Sequence, residues 1–453
     1  MPGGDRRSIM KQQQVNTRNI ILDILIEINE NGGFTHVVLS QALKKYQYLS
    51  QQDRAFISQV VRGCVERKIT LDYVINCFSN TKTNKMKAVI RNALRMGVYQ
   101  LVYMDVEDYA ACNETVKVII KRGFNNLRGF VNAVLRNIAA NKDKIEYPTL
   151  EVKYSTPEWI VTKWVKDFGE AKAEEMLEAQ YTKRPLSIRC NTARISPDEL
   201  KQRFESEGIK VVKSDILPEA MSIMNYDYLE KIPEFNDGLF FVQDLSSMLV
   251  SHIAAPQKDN YVIDLCAAPG GKSMHTAELL KGTGHVEARD VSDYKVMLIA
   301  ENIERLELNN VEALVWDATV TDEDSISKAD MVIADLPCSG LGIFSKKPDI
   351  KYHATMEGIE ELSKLQREIL NASESYVKPG GVLVYSTCTV TPEENMNNVE
   401  WFLQNFPFET ESIDEYIPEK FRDELTAKGS LMLLPNTTEG HDGFFITRFR
   451  RKK

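Results

Sequence analysis

The sequence predicts a multidomain protein with an all-α N-terminal domain, a small α/β (α+β) middle subdomain and a C-terminal, Rossmann-like α/β domain with a mostly parallel sheet. Its 453 residues are enough for two or three hydrophobic cores. Only helical periodicity is found from Asn16 to about Asn141, whereas apolar strands and helical stretches alternate after about residue 237. We therefore expect a disordered start at 1–14, the helical domain at 15–145, the middle subdomain at 150–236 and the α/β domain at 237–453.

The helical domain has a predicted buried side and a basic side. Apolar residues recur with the i, i+3, i+4, i+7 spacing of one helical face at Ile21, Ile24, Leu25 and Ile28, and later at Ile90, Leu94, Gly97 and Leu101. On the later helix Lys87, Arg91 and Arg95 recur every four residues and share one face. This basic stripe predicts either contacts with phosphate groups or an ordinary solvated surface, and both interpretations stay open.

The middle subdomain contains a predicted strand followed by a helix with a strong start signal. Residues 187–192 are typical of a strand. Ser196 is suited to the N-cap, Pro197 to the first helical position and Glu199 to the third, where it completes a capping box. We expect this helix to end at Gly208.

In the C-terminal domain the predicted strands cover 261–265, 286–290, 312–316, 331–335 and 381–386, and residues 443–449 can add one more. The helical stretches between them are typical of βαβ units and a parallel sheet. Ligands of such sheets bind beyond the carboxyl ends of the strands, so the residues that follow each strand are the candidates for a site.

Charge and cysteine usage narrow the class of protein. Residues 1–150 hold 22 Lys+Arg and 13 Asp+Glu, a net charge of +9, whereas residues 151–453 hold 34 and 52, a net charge of -18. A basic module on an acidic body favours a polyanionic partner for the first domain. The seven cysteines form no CxxC pair, which argues against a disulfide framework or a zinc site and favours a reducing cytoplasm.

A glycine-rich turn after the first predicted strand is the candidate cofactor site. Its residues are Cys266, Ala267, Ala268, Pro269, Gly270, Gly271 and Lys272. The glycines let the backbone approach a ligand, and the following helix start favours an anionic group. Asp290 and Asp317 end the next two strands, where they can accept ribose hydroxyls and the adenine amine, although a lone Asp there is more often a helix cap. The turn lacks GxGxxG, and by itself it leaves both NAD and S-adenosylmethionine open.

Two cysteines follow later strands at the same predicted edge. Cys338 lies in Asp-Leu-Pro-Cys-Ser-Gly and Cys388 in Ser-Thr-Cys-Thr. A thiolate that adds to C6 of cytosine makes C5 nucleophilic, which is the covalent catalysis that methylation of this carbon needs. Asp335, three residues before Cys338, can bind the cytosine amine and exclude uracil. We expect the other isolated cysteines to be small buried residues: Cys64, Cys77, Cys112 and Cys190.

These motifs, together with Pro392-Glu393-Glu394-Asn395, resemble the RNA 5-methylcytosine methyltransferases of the NOL1/NOP2/Sun family, and residues 16–141 resemble a NusB-type RNA-binding domain. The resemblance covers almost the whole chain. It implies methylation of one cytosine in small-subunit (16S) rRNA, with Cys388 as the nucleophile and Cys338 assisting product release. It also implies that the 266–272 turn, Asp290, Asp317 and Asp335 hold S-adenosylmethionine.

Several alternatives accompany this hypothesis. The same chemistry can act on tRNA or another RNA. A non-catalytic RNA-binding assembly factor would be expected to have a damaged cofactor turn or to lack a thiol, and a nicotinamide-dependent dehydrogenase would leave both strand-end cysteines unexplained. We expect a cytoplasmic monomer that binds RNA and uses neither a membrane nor a metal ion.

Overall fold

The computed structural model describes residues 16–182, 184–436 and 441–453, so the predicted disordered start at 1–14 lies outside the described residues. The chain forms two compact units. The first contains the residues up to 163 together with 347–349, and the second contains 164–346 and 350–453. Among the described residues, no helix combines the length and the apolar character needed to span a bilayer.

The first unit is helical, as predicted. Asn16 and Ser50 begin two of its helices by accepting hydrogen bonds from backbone amides in the first turn. The predicted apolar faces of its first and fifth helices are buried. The helices are α1 (Thr17–Asn31), α2 (Thr35–Lys45), α3 (Gln51–Glu66), α4 (Lys68–Phe78), α5 (Ala88–Tyr103), α6 (Asp108–Lys121), α7 (Arg128–Asn141) and α8 (Leu150–Tyr154).

Two of the three cations in the basic stripe, Arg91 and Arg95, fit neither sequence interpretation. The Arg91 guanidinium pairs with the Glu30 carboxylate and also donates to two backbone carbonyls. The Arg95 side chain is buried and forms a two-pronged ion pair with Asp72, with a nitrogen–oxygen distance of 2.7 Å. Only Lys87 is exposed. Two of the three cations therefore stabilise contacts within the helical unit instead of facing solvent or phosphate.

The remaining helices and strands belong to the second unit or lead into it. They are α9 (Glu158–Phe168), α10 (Glu170–Ala179), β1 (Leu186–Cys190), α11 (Pro197–Ser206), β2 (Lys210–Lys213), β3 (Ala220–Met224), α12 (Pro233–Asn236), β4 (Phe240–Val242), α13 (Leu245–Ala254), β5 (Tyr261–Asp264), α14 (Gly271–Leu279), β6 (His285–Asp290), α15 (Asp293–Leu306), β7 (Val311–Val315), β8 (Ala329–Asp335), α16 (Ile350–His353), α17 (Met356–Ser373), β9 (Val377–Thr387), α18 (Met396–Asn405), β10 (Phe408–Thr410), β11 (Ser430–Leu433) and β12 (Phe444–Arg451).

The small subdomain is built on an antiparallel sheet in which the described strands have the order β2-β3-β1-β4. Helix α11 begins as predicted, because the Ser196 hydroxyl accepts a hydrogen bond from the Glu199 amide and Pro197 occupies the first turn. Strand β4 belongs to this sheet although it follows residue 236, which the sequence predicts as the end of the subdomain. That boundary stays a prediction.

The larger sheet has the strand order β10-β12-β9-β8-β5-β6-β7 within the described residues, with β11 paired to β12. Strands β5 to β9 pair in parallel, and the predicted added strand β12 runs antiparallel to β9. The chain places β6 on one side of β5 and β8 on the other, so β5 lies where the strand order reverses. A ligand is expected at the carboxyl end of such a strand.

Three of the four isolated cysteines are buried as predicted, namely Cys64, Cys112 and Cys190. The prediction was wrong for Cys77, whose side chain is exposed. It lies near the C-terminal end of α4, one turn after the buried residues of that helix. The spacing of apolar neighbours did not reveal that the helix turns this position outward.

Candidate active site

The glycine-rich turn joins β5 to α14 at the reversal point of the sheet. Gly270 has a φ of 102°, a backbone conformation that L side chains rarely adopt, and caps α14. A Cβ atom on Gly270 would lie 2.7 Å from the Met274 side chain. The Ala267 amide donates to the Arg289 carbonyl, which ties the turn to the end of β6. Glycine is therefore required for the path of this backbone.

A cavity of about 210 Å³ lies beside this turn. Most of the predicted cofactor residues line it: Cys266, Ala267, Ala268, Pro269, Gly271, Lys272 and Asp335. Asp264, at the end of β5, also lines it and was missed by the sequence analysis. Its Oδ2 accepts a hydrogen bond from the Ser273 hydroxyl at 2.6 Å, and its Oδ1 has no hydrogen-bond partner within the described residues. Burial raises the pKa of Asp264 to about 7.

The two ribose and adenine candidates differ in their surroundings. Asp290 is buried and its carboxylate accepts the amide of Ala268, within the turn, at 3.2 Å. Asp317 is exposed and its Oδ1 accepts both the amide and the hydroxyl of Thr319, which lowers its pKa. Neither side chain lines the cavity. The Asp317 carboxylate is thus engaged by the nearby Thr319, as expected of a local cap, whereas the Asp290 carboxylate supports the glycine-rich turn directly.

An ion pair forms part of the wall of the cavity. Lys272 Nζ is 2.6 Å from Asp335 Oδ2, and Asp335 Oδ1 accepts from the Ser386 hydroxyl at 2.7 Å. Burial alone would lower the pKa of Lys272, but the Asp335 carboxylate outweighs burial and raises it. Asp264, Lys272, Asp335 and Ser386 are named here the cofactor-side cluster. They come from the ends of β5, β8 and β9 and from the first turn of α14.

The two strand-end thiols meet. Cys338 Sγ and Cys388 Sγ are 3.2 Å apart, although 50 residues separate them in the chain. The contact with Cys388, together with burial, raises the pKa of Cys338 well above its usual range. Cys388 interacts electrostatically with the ammonium of Lys272. Of the two sulfurs, Cys388 is therefore the one with a neighbouring cation that stabilises a thiolate.

A second polar group fixes the loop that carries Cys338. The Glu394 side chain is fully buried, and each of its carboxylate oxygens accepts two hydrogen bonds. Oε1 accepts from the Ser339 amide at 2.8 Å and from Gln366 at 3.2 Å, and Oε2 accepts from the hydroxyls of Ser339 at 2.5 Å and Thr391 at 2.7 Å. We call Ser339, Gln366, Thr391 and Glu394 the Glu394 cluster. It joins the loops after β8 and β9, and only the Pro-Glu-Glu-Asn motif signalled it in the sequence.

Comparisons with known proteins fit this architecture. The family description "16S rRNA methyltransferase RsmB/F" matches residues 251–450, "NusB family" matches 15–140, and the ferredoxin-like domain of RsmF/B-like methyltransferases matches 156–226. A Bacillus subtilis protein named probable ribosomal RNA small subunit methyltransferase B is 36% identical over 97% of this chain and 100% of its own length.

The chain belongs to the RsmB/F family of 16S rRNA methyltransferases. It is an enzyme that uses S-adenosylmethionine, and the predicted helical, middle and α/β arrangement is that of the family. A second RsmB/F relative, ribosomal RNA small subunit methyltransferase B of Escherichia coli O1:K1, is 30% identical over 98% of this chain and 100% of its own length.

Solved structures agree on the fold. The crystal structure of PH0851 covers 97% of this chain and 99% of its own, with a TM-score of 0.81 and 26% identity. NSun6 from Pyrococcus horikoshii, solved with SFG, an analogue of S-adenosylmethionine, covers 66% of this chain and 98% of its own, with a TM-score of 0.57 and 24% identity. The similarity to NSun6 shows that this RsmB/F chain and NSun6 share a fold.

Proposed function

We propose that this enzyme methylates C5 of a cytosine in 16S rRNA through a covalent bond between Cys388 and C6 of the base. The observation that carries the proposal is the pair of thiols, 3.2 Å apart, next to the Lys272–Asp335 ion pair that borders the cofactor cavity. Free cysteines are usually inert buried residues, and two of them in contact beside a cation at a ligand cavity are unusual. Covalent chemistry explains the arrangement.

The residues beside the glycine-rich turn fit S-adenosylmethionine. Oδ1 of Asp264 is a buried carboxylate oxygen in the wall of the cavity that no described residue hydrogen-bonds, and such an atom favours a cationic ligand group. We assign Asp264 and the 266–272 turn to the cofactor, with Asp290 holding the turn in place and accepting the ribose hydroxyls. Asp317 stays our candidate for the adenine amine, which requires it to release Thr319.

The reaction begins at Cys388. Lys272 stabilises the Cys388 thiolate, which adds to C6 of cytosine and forms a carbon–sulfur bond, so that the electron pair of the C5–C6 double bond becomes available at C5. When bound, S-adenosylmethionine supplies the electrophilic methyl group that C5 takes up. A base then removes the proton from C5, the double bond re-forms, and Cys388 leaves with the electron pair of the carbon–sulfur bond.

Cys338 is our candidate for the release step. Its raised pKa keeps it a neutral thiol at physiological pH, and its sulfur is within hydrogen-bonding distance of Cys388. A thiol in that position can donate to the departing sulfur and stabilise it as a thiolate. The Glu394 cluster supports this role because it holds the amide and hydroxyl of Ser339, the residue next to Cys338.

Asp335 is our candidate for base selection. Its two oxygens already accept hydrogen bonds from Lys272 and Ser386, which fix the orientation of the carboxylate in the wall of the cavity. A carboxylate there can accept the amine at position 4 of cytosine, whereas uracil presents an oxygen acceptor that it repels. Because the target base must be out of a helix to reach a sulfur, the substrate is a single-stranded or flipped nucleotide.

Trapping on modified RNA tests the covalent step. With 5-fluorocytosine in 16S rRNA the C5 proton cannot be removed, so the native enzyme should remain attached to the RNA on a denaturing gel. The Cys388→Ala variant should form no adduct, while the exposed-cysteine control Cys77→Ser should behave like the native enzyme. An adduct that persists in Cys388→Ala and disappears in Cys338→Ala would reverse the assignment.

Bisulfite sequencing tests the substrate. Total RNA from cells with and without this protein should differ at a cytosine of 16S rRNA. A difference confined to tRNA or another RNA would keep the chemistry and change the substrate. No difference anywhere, with purified protein also failing to transfer a methyl group, would favour a non-catalytic RNA-binding factor.

A further inference from the structure

Three potential metal ligands from separate segments meet on the side of the second unit where the small sheet adjoins α13 and α14. Glu219 comes directly before β3, His252 lies in the last turn of α13, and His275 lies in α14. One nitrogen of each histidine and one oxygen of Glu219 all lie within 4.8 Å of one another. The sequence analysis missed this group because its members are 23 to 56 residues apart and adjoin no cysteine.

The hydrogen bonding within the group is incomplete. His252 Nε2 is 2.5 Å from Glu219 Oε1, and His275 Nε2 faces the same oxygen at the longer distance of 3.4 Å. His275 is 2% exposed, and among the described residues its Nδ1 has no hydrogen-bond partner. A buried imidazole that shares its carboxylate oxygen with a second, closer histidine is poorly satisfied by the described protein atoms alone.

We propose that Glu219, His252 and His275 bind one divalent cation of the zinc class. Two imidazole nitrogens and one carboxylate oxygen form a donor set that Zn²⁺ accepts with a fourth position left for water. Ligand atoms about 2.0–2.1 Å from a tetrahedral ion lie about 3.3 Å apart. The 3.4 Å distance between His275 Nε2 and Glu219 Oε1 already has about this value. The 2.5 Å distance between His252 Nε2 and the same oxygen reaches it when the two atoms separate by about 0.8 Å.

Access and charge permit the ion to enter. The His252 side chain is 25% exposed, which provides an approach from solvent. The nearby Arg189 guanidinium is already paired with Glu278 at 2.8 Å, so its charge is compensated. An ion here would connect the segment before β3 to both α13 and α14, and α14 begins at the cofactor turn.

Calorimetry with zinc sulfate tests the site on the full-length, untagged protein after treatment with EDTA. We expect one ion per chain, with binding weakened about 100-fold or more in His252→Asn, since even the loss of a residue that only supports a ligand costs 10–100-fold in affinity. His285→Asn is the matched control, because His285 is half-exposed and lies outside the group, where it stacks on Tyr261 and faces Glu312 at 3.7 Å. Zinc that binds native protein and His252→Asn equally well, or does not bind at all, would overturn the proposal.

X-ray absorption at the zinc edge separates this site from the two catalytic thiols. The expected spectrum contains only nitrogen and oxygen neighbours near 2.0–2.1 Å, whereas sulfur neighbours at about 2.3 Å would place the ion on cysteine and reject our assignment. Glu219→Gln provides a second variant of unchanged size if His252→Asn does not fold. It should also lose the ion while it retains binding of S-adenosylmethionine.

Discussion

The cofactor-side cluster and the Glu394 cluster flank the same pair of thiols, yet their hydrogen bonding is very different. In the Glu394 cluster both oxygens of a fully buried carboxylate accept two hydrogen bonds each. In the cofactor-side cluster one oxygen of Asp264 has no hydrogen-bond partner in the described part of the chain, and the Lys272–Asp335 ion pair lines a cavity. One side of the thiol pair is thus fully hydrogen-bonded by protein groups, whereas the other keeps polar groups that a ligand can satisfy.

The largest expected effect distinguishes the two thiols themselves. Cys388→Ala should lower the rate of methyl transfer by a factor on the order of 10⁴ or more, as removal of a covalent nucleophile does in other enzymes. Cys338→Ala should still attack the base but release it slowly, so the covalent RNA adduct should accumulate on unmodified rRNA. A denaturing gel over time measures both. Equal loss of adduct in the two variants would remove the division of labour that we propose.

Asp264→Asn tests whether the buried carboxylate of the cofactor-side cluster destabilises the protein when no ligand is bound. The pKa of Asp264 is about 7 in the folded chain and lower when unfolded, so between about pH 4 and 7 the native state keeps a proton that the unfolded chain has lost. Native stability therefore falls as pH rises through this window, and the asparagine variant escapes that fall. Above pH 7 it should be more stable than the native protein by up to about 4 kcal/mol, since one pKa unit is worth 1.36 kcal/mol.

Chemical denaturation at pH 4.5 and pH 8 measures this gain, which should be present only at the higher pH. The same variant should bind S-adenosylmethionine more weakly, because it lacks the carboxylate charge in the cavity. If the variant and the native protein have equal stability at both pH values, burial does not disfavour the charged form of Asp264 in the folded chain.

Glu394→Gln tests the contribution of the Glu394 cluster. In this variant an NH₂ group replaces one carboxylate oxygen that accepts two hydrogen bonds, so a buried donor is placed against two other donors. We expect the free energy of unfolding to fall by about 1–3 kcal/mol. Product release should slow because the Cys338 loop loses its support, while binding of S-adenosylmethionine should not change. The exposed Glu400→Gln on α18 is the control. A stability equal to that of the control would mean that the cluster is dispensable.

The smallest effect concerns Lys272. Replacing it by methionine removes the cation beside Cys388, so the acidic limb of the pH–rate profile should move upward by about one pH unit. Lys378→Met is a matched control, because Lys378 and Asp330 form a 2.7 Å ion pair on β9 and β8, away from the carboxyl ends of those strands. A shift of the same size in both variants would argue against a specific effect on the thiol.

Much of the fold and part of the site can be predicted from sequence because parallel strands end at one edge. That rule placed Cys338 and Cys388 together across 50 residues, and the apolar pattern of 443–449 separately gave β12 as an added strand. The rule could not predict the contacts of Glu394, because a short turn after β9 brings this residue back onto the loop that carries Cys338. Nor could it show that Arg91 and Arg95 bind carboxylates of neighbouring helices, since side-chain partners distant in sequence leave no periodic signal.

The two arginine pairs of α5 limit how the helical unit can attract a polyanion. A cation strengthens binding to RNA chiefly when it displaces counterions from phosphates, and each such contact steepens the salt dependence of the affinity. Because Arg91 and Arg95 are neutralised by Glu30 and Asp72, they contribute no counterion release unless those pairs open. The plot of log affinity against log salt concentration should accordingly be shallower than the count of basic residues in this unit suggests.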